Sequence, residues 1–142
     1  MEEHNFKSNI ITRRIYLKET IGKGMGVYAA EDIKAGQLIE KCYLLEIDTP
    51  IEHLGNLYDY VFNYPKTRKP FVAHVIPLGA GCIYNHDDNH NAHWEDSKEL
   101  WHFDFIAIKD IKAGQEICTH YGDAYWTQMA NRNPQLKKIT ND

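Results

Sequence analysis

Apolar residues in this chain gather into short clusters separated by polar, glycine-containing turns. The clusters at 10–17, 26–30, 37–45, 71–77, 101–108 and 116–120 are rich in Ile, Val, Tyr, Phe and Trp. Several alternate apolar with polar, the period of a half-buried strand. One stretch breaks that habit. Within 50–64, Leu54, Leu57, Tyr58 and Val61 stand at i, i+3, i+4 and i+7, which predicts a helix, and a second short turn is expected after Gly122. Residues 1–9 and 129–142 are polar without periodicity and read as loosely held ends. The pattern predicts a mainly β protein with little helix, a single domain over 1–142 whose core spans about residues 10–128.

Composition narrows the picture. A chain of 142 residues, 43% hydrophobic and 25% charged, can bury one core and needs no second domain. No apolar run approaches the ~20 residues of a membrane helix, and the opening MEEHNFKSNI has no apolar secretory segment. Sixteen Lys and Arg against twenty Asp and Glu leave a net charge of −4. That balance argues against broad nucleic-acid affinity and suits a basic partner better. The basic run at 66–69 reads as a solvated loop. Cys42, Cys82 and Cys118 are odd in number, far apart and without CxxC spacing. They exclude a thiolate zinc site and a disulfide framework, and imply a reducing, intracellular setting.

One phrase occurs twice. Asp32-Ile33-Lys34-Ala35-Gly36-Gln37-Leu38-Ile39 returns 78 residues later as Asp110-Ile111-Lys112-Ala113-Gly114-Gln115-Glu116-Ile117. Each copy follows one apolar strand and precedes another. The glycine is expected at a positive-φ turn position and the isoleucine as the loop's anchor in the core.

Three stretches could carry chemistry. In Gly22-Lys23-Gly24-Met25-Gly26 three glycines within five residues let a backbone approach a ligand closely, but no helix follows, so this is neither a dinucleotide fingerprint nor a Walker loop. Between Gly79 and Glu95, Tyr84-Asn85-His86 leads into a polar cluster. There His86, His90 and His93 would share one helix face fit for a divalent cation, while Asp87, Asp88, Asn89 and Asn91 favour turns. A metal site, plain surface histidines and a cofactor-binding turn all remain open from spacing alone. Last, Thr119-His120-Tyr121-Gly122-Asp123-Ala124-Tyr125-Trp126 groups three large aromatics around a glycine, as core or as a pocket for something flat or cationic.

Taken in order, the GxG turn, the Asn-His some 60 residues on and the Tyr-Gly after the second phrase resemble the SET-domain protein lysine methyltransferases. The resemblance spans residues 10–126 and is greatest to the minimal viral and bacterial enzymes without cysteine-rich flanks. It implies small curved sheets with a threaded C-terminal segment, and transfer of methyl from S-adenosylmethionine to a lysine ε-amine. Carried over by position, Tyr121 is the catalytic tyrosine. Lys23, Gly24, Met25, Gly26, Asn85, His86, Tyr121 and Trp126 would hold the cofactor, and Tyr60, Trp94, Thr119 and Tyr125 would line the lysine channel. The partner implied is a lysine-containing protein, a histone tail above all, without direct contact to nucleic acid or membrane. The implied setting is the cytoplasm, or a nucleus where a histone is the substrate.

The chain departs from the family where Asp87…His90-Asn91 replaces the usual Ser…Pro-Asn, and where Thr119 replaces a bulkier residue two before the tyrosine. A Thr there leaves room for di- or trimethylation. Without a cysteine-rich flank, a homodimer partner or residues 129–142 would complete the channel. A non-catalytic peptide- or cofactor-binding module and a small β protein with a histidine metal site are the alternatives.

Overall fold

The computed structural model describes residues 14–67 and 70–122. Trp126, Tyr125, the turn expected after Gly122 and both polar ends lie outside the described residues. Nine strands organise the described part: β1 (Ile15–Thr20), β2 (Gly24–Ala29), β3 (Leu38–Ile47), β4 (Phe62–Tyr64), β5 (Ala73–Pro77), β6 (Asn85–His86), β7 (Ala92–Asp96), β8 (His102–Ala107) and β9 (Glu116–Thr119). They form a four-stranded sheet in the order β1-β2-β9-β6 and a five-stranded sheet in the order β4-β5-β3-β8-β7. The mainly β expectation holds, with a strand overlapping each predicted cluster.

Two local expectations change. The first strand begins at Ile15 and continues through Lys18 and Glu19 to Thr20. It is an edge strand with its middle residues in solvent, so pairing with β2, and not burial, sets its extent. The helix expected over 50–64 is instead two 3₁₀ segments, Ile51–His53 and Gly55–Tyr60. Gly55 takes φ +62 between them, and no residue of either segment is buried. With no core against it, the apolar spacing has nothing to drive a longer helix.

The repeated phrase is where the two halves of the fold lock together. Ile33 and Ile111 form an antiparallel bridge, each N–H donating to the other's carbonyl at 2.8 and 2.7 Å. Asp32 Oδ1 accepts from Ala113 N–H, and Asp110 Oδ1 accepts from Ala35 N–H, both at 2.9 Å. Gln37 and Gln115 close their own turns onto the N–H groups of Lys34 and Lys112. Gly36 and Gly114 sit at φ +89 and +88, as the turn required, and their N–H groups reach Ala107 and Ala29 in the flanking strands. The two copies thus form a near-symmetric clasp, each completing the other's turn, with both isoleucines 1% exposed.

The core beneath the clasp joins Val27, Ile39, Leu44, Val75, Phe103, Phe105 and Ile117. In β3 the pairing with β8 slips between Leu38 and Glu40. This bulge lets consecutive residues Ile39 and Glu40 both face inward before regular alternation resumes at Cys42 and Leu44. Glu40 keeps step with Cys42 and Leu44, so plain alternation carries a carboxylate into the core, and Ile39 is the residue that the bulge adds to the inward face.

The clasp makes a quantitative prediction. Ile33→Ala and Ile111→Ala each lower unfolding free energy by about 2–5 kcal/mol, the range for truncating a buried isoleucine. Urea denaturation of the two variants should give costs of similar size. One cost near zero beside one of full size would show that the halves are not held reciprocally.

Candidate active site

A cavity of about 750 Å³ opens where the two sheets meet. Lys23, Gly24 and Met25 reach it from the turn into β2, Tyr60 and Phe62 from the 3₁₀ segment and β4, and Trp94 from β7. Tyr84 and Asn85 come from the start of β6, Thr119 and Tyr121 from the end of β9. The GxG turn, the Asn-His and the Tyr-Gly, scattered in sequence, therefore meet at one place. Tyr60, Trp94 and Thr119 line it, whereas Gly26 and His86 are not part of its lining.

The crossing of β6 and β9 brings Asn85 and Tyr121 together. These strands pair in parallel, Asn85 opposite Cys118 and His86 opposite Thr119. Asn91 staples the crossing: its Oδ1 accepts from Cys118 N–H and its Nδ2 donates to Glu116 O, both at 2.9 Å. This crossing is the described part of the threading that the family resemblance implied. Asn85 Nδ2 donates to Glu116 Oε2 at 2.8 Å and to Met25 O at 3.3 Å, tying the second stretch to the first.

His86 places the tyrosine. Its ring is buried, and Nδ1 accepts the Tyr121 backbone N–H at 3.0 Å. An imidazole nitrogen that accepts carries no proton, so the proton sits on Nε2 and is donated to Asp88 Oδ1 at 2.7 Å. His120 repeats the pattern, with Nδ1 accepting from Gly122 N–H at 2.9 Å and Nε2 3.8 Å from the same carboxylate oxygen. His86, Asp88 and His120 thus cluster within 4.8 Å of one another. A cation would need lone pairs on the Nε2 atoms that these bonds have already protonated. The helical His86, His90 and His93 face does not form either: 85–86 and 92–96 are strands, Asp87 Oδ1 turns the chain onto Asn89 N–H, and His93 pairs with Glu95 at 3.6 Å.

Tyr121 donates its hydroxyl proton to Tyr84 O at 2.5 Å. Tyr84 is in turn held from below: its own hydroxyl donates to Glu40 Oε1 at 2.7 Å, and its ring stacks on Phe105 at 4.7 Å. Glu40 is 2% exposed. Burial pushes its carboxyl above the ordinary value of 4.5, against the lowering effect of the Tyr84 and Ala80 hydrogen bonds. Gly79, at φ +85, lies against it, and a Cβ there would stand 2.9 Å from Glu40 Oε2. Cys82, on the cavity wall, is a poor nucleophile because burial raises its thiol to about 11. Around it the wall presents orienting oxygens and aromatic rings.

Sequence reasoning gave no site role to Glu40, Tyr84, Asp88, Glu116 or Lys66. Glu116 carried a signal: it stands where the first copy of the repeated phrase has Leu38, the one residue at which the copies differ. The divergent residue is the one that grips Asn85.

Comparison with known proteins agrees with this geometry. Residues 24–122 match the SET domain family. The chain is 29% identical over 123 residues to a histone-lysine N-methyltransferase of Schizosaccharomyces pombe specific for H3 lysine-37, covering 82% of this chain and 79% of that protein. It is 26% identical to the N-lysine methyltransferase KMT5A-A of Xenopus laevis over 96% of this chain, spanning 41% of that protein. A crystal structure of a Plasmodium falciparum protein assigned as a histone methyltransferase superposes with a TM-score of 0.66 at 30% identity, covering 82% of this chain and 99% of that one.

Two outcomes test the packing behind the cavity. A Cβ on Gly26 would lie 2.4 Å from Thr20 Oγ1, 2.8 Å from Glu116 Oε2 and 3.0 Å from Asn85 Nδ2. Gly26→Ala should therefore cost about 1–3 kcal/mol by overpacking, read as an earlier midpoint in urea; an unchanged midpoint would contradict the close approach. For Glu40 the folded carboxyl titrates above the unfolded one, so its contribution is fully present below pH 4.5 and declines as pH rises through the folded value. Glu40→Gln should flatten that part of the stability–pH curve. A wild-type curve parallel to the variant's above pH 4.5 would refute the shift.

Proposed function

The chain belongs to the SET-domain family and is a protein-lysine methyltransferase; from that premise we propose that its methyl donor is S-adenosylmethionine and its substrate a lysine on a histone tail. The observation that carries this reading is the convergence of Met25, Asn85 and Tyr121, from three distant stretches, on one cavity. The residues present suit such a donor. A volume of about 750 Å³ falls within the range of small-molecule sites. At Gly24 a Cβ would meet nothing within 4 Å, so the backbone is bare where it borders the cavity. Lys23, Gly24, Met25 and Asn85 would hold the donor, with Gly26 allowing the approach of Asn85 behind them.

When bound, the donor supplies a methyl group already activated by a positively charged sulfur. The chain contributes position and environment. An in-line displacement is governed by alignment, and the β6–β9 crossing fixes Tyr121 relative to Asn85 within one hydrogen-bonded unit. The incoming lysine must be neutral, yet an amine of pKa near 10.4 is less than about a thousandth deprotonated at pH 7. The aromatic walls of Tyr60, Phe62 and Trp94 disfavour the ammonium by desolvation and accept methylated amines by cation–π attraction. With its proton committed to Tyr84 O, Tyr121 presents oxygen lone pairs and orients the amine as an acceptor. It is not a strong base.

The net charge of −4 suits a lysine-rich tail, and a histone substrate places the work in a nucleus. A second copy of the chain would complete the channel beside Tyr60, which is 46% exposed.

Transfer of labelled methyl from S-adenosylmethionine to core histones, with Tyr121→Phe alongside, tests the reading. The variant should lose about 100-fold or more of turnover while calorimetry shows donor binding within about threefold of wild type. Turnover equal to wild type in Tyr121→Phe would remove the tyrosine from the mechanism. The wild-type rate should also climb between about pH 7 and 9, as lysine deprotonation demands.

A further inference from the structure

Lys66 was expected in a solvated loop, and the residue is exposed. Its ammonium nevertheless points home. Nζ lies 4.1 Å from the centroid of the Trp94 ring and donates to the Trp94 carbonyl. The stem is anchored at its base, where Lys66 N–H donates to Asp96 Oδ1 at 2.7 Å and Thr67 Oγ1 donates to Asp96 Oδ2 at 3.2 Å. Lys66 also lines the cavity that Tyr121, Met25 and Asn85 share. Partial desolvation against this wall lowers the amine's pKa, overcoming the opposing pull of Asp96 and Glu95.

An amine on an aromatic face, next to a carbonyl, inside the transfer cavity is the arrangement a substrate lysine would have to adopt. We propose that Lys66 is an intramolecular methyl acceptor, a modification site of the chain itself. The inference rests on the reading of the cavity as a methyl-transfer site. After losing its proton to solvent, Nζ forms a new N–C bond with the methyl carbon; the carbon–sulfur bond of the sulfonium donor breaks and its electron pair stays on sulfur. The four-carbon lysine stem is flexible enough to move between the Trp94 face and the interior of the cavity. A methylated ammonium would keep its place on the indole, because cation–π attraction survives methylation.

The test has two parts. Without donor, Trp94→Ala should change acylation of Lys66 by limiting acetic anhydride at least twofold relative to the chain's other lysines, read by mass spectrometry, because the indole face that holds the amine is gone. A smaller change at Lys66 would overturn the placement. With S-adenosylmethionine and no other substrate, peptide mapping should find methyl groups on Lys66, at a rate per chain that is constant over a 100-fold range of protein concentration. A parallel reaction contains core histones. Methylated histones beside unmodified Lys66 would overturn this proposal and leave the methyltransferase reading standing. A rate rising in proportion to protein concentration would overturn the intramolecular step. No methyl on either acceptor, with no donor binding by calorimetry, would overturn both readings.

Discussion

The reciprocal clasp between the two copies of the repeated phrase is the constraint on which the rest depends. A polar turn is normally closed by its own backbone, leaving its outer groups to water. Here each aspartate closes the other copy's turn, so neither is complete until residues 75 and 81 positions apart have met. The isoleucines drive the encounter by leaving water, and the hydrogen bonds give it one register. Because β3 continues the first copy and β9 the second, one local event orients an interior strand of each sheet. β9 then delivers Tyr121, a few residues on.

From there the site is built by polar groups that are each used twice. Asn85 joins the β2 turn to Glu116, His86 joins the Tyr121 backbone to Asp88, and Asn91 holds both faces of the peptide chain around Cys118. Such bonds contribute modestly to net stability, about 1 kcal/mol each, but they are directional where hydrophobic contact is not. The tautomer they impose on His86 and His120 also decides what the histidine cluster can be. Rings whose Nδ1 atoms serve the backbone present N–H to Asp88, so a cluster that resembles a metal site by composition works as a brace.

Much of this was legible in the sequence, for identifiable reasons. Strands were visible where one face is buried, and the phrase repeat was visible because both copies face the same packing problem. Glycine spacing and the Asn-His and Tyr-Gly pairs marked the cavity wall, since close backbone approach and specific side-chain chemistry leave little choice of residue. What stayed hidden has a physical reason too. β1 is an edge, so its polar residues gave no sign that the strand runs past Leu17 to Thr20. The 50–64 stretch carried helical spacing, but no core lay against it and Gly55 interrupts it at positive φ. Lys66 looks like any surface lysine until folding places it over Trp94. Glu40 alternates in step with Cys42 and Leu44, but an acidic side chain gives no sign of burial until folding sets Tyr84 against it.

Glu40 also explains a feature that cavity residues alone leave arbitrary: why a carbonyl, and not water, accepts the Tyr121 proton. Tyr84 can offer that carbonyl only if its side chain is fixed in the core, and stacking on Phe105 leaves its hydroxyl in need of a partner. A leucine at position 40 would pack there but would strand the hydroxyl, at a cost of about 1–3 kcal/mol. A carboxylate accepts it and also faces the Ala80 N–H at 3.4 Å, tying the loop before β6 to β3. The price is a titratable group in an apolar setting, with its carboxyl raised by burial. The fold thus tolerates a buried carboxyl beneath the site because it fixes Tyr84, whose backbone carbonyl positions the tyrosine.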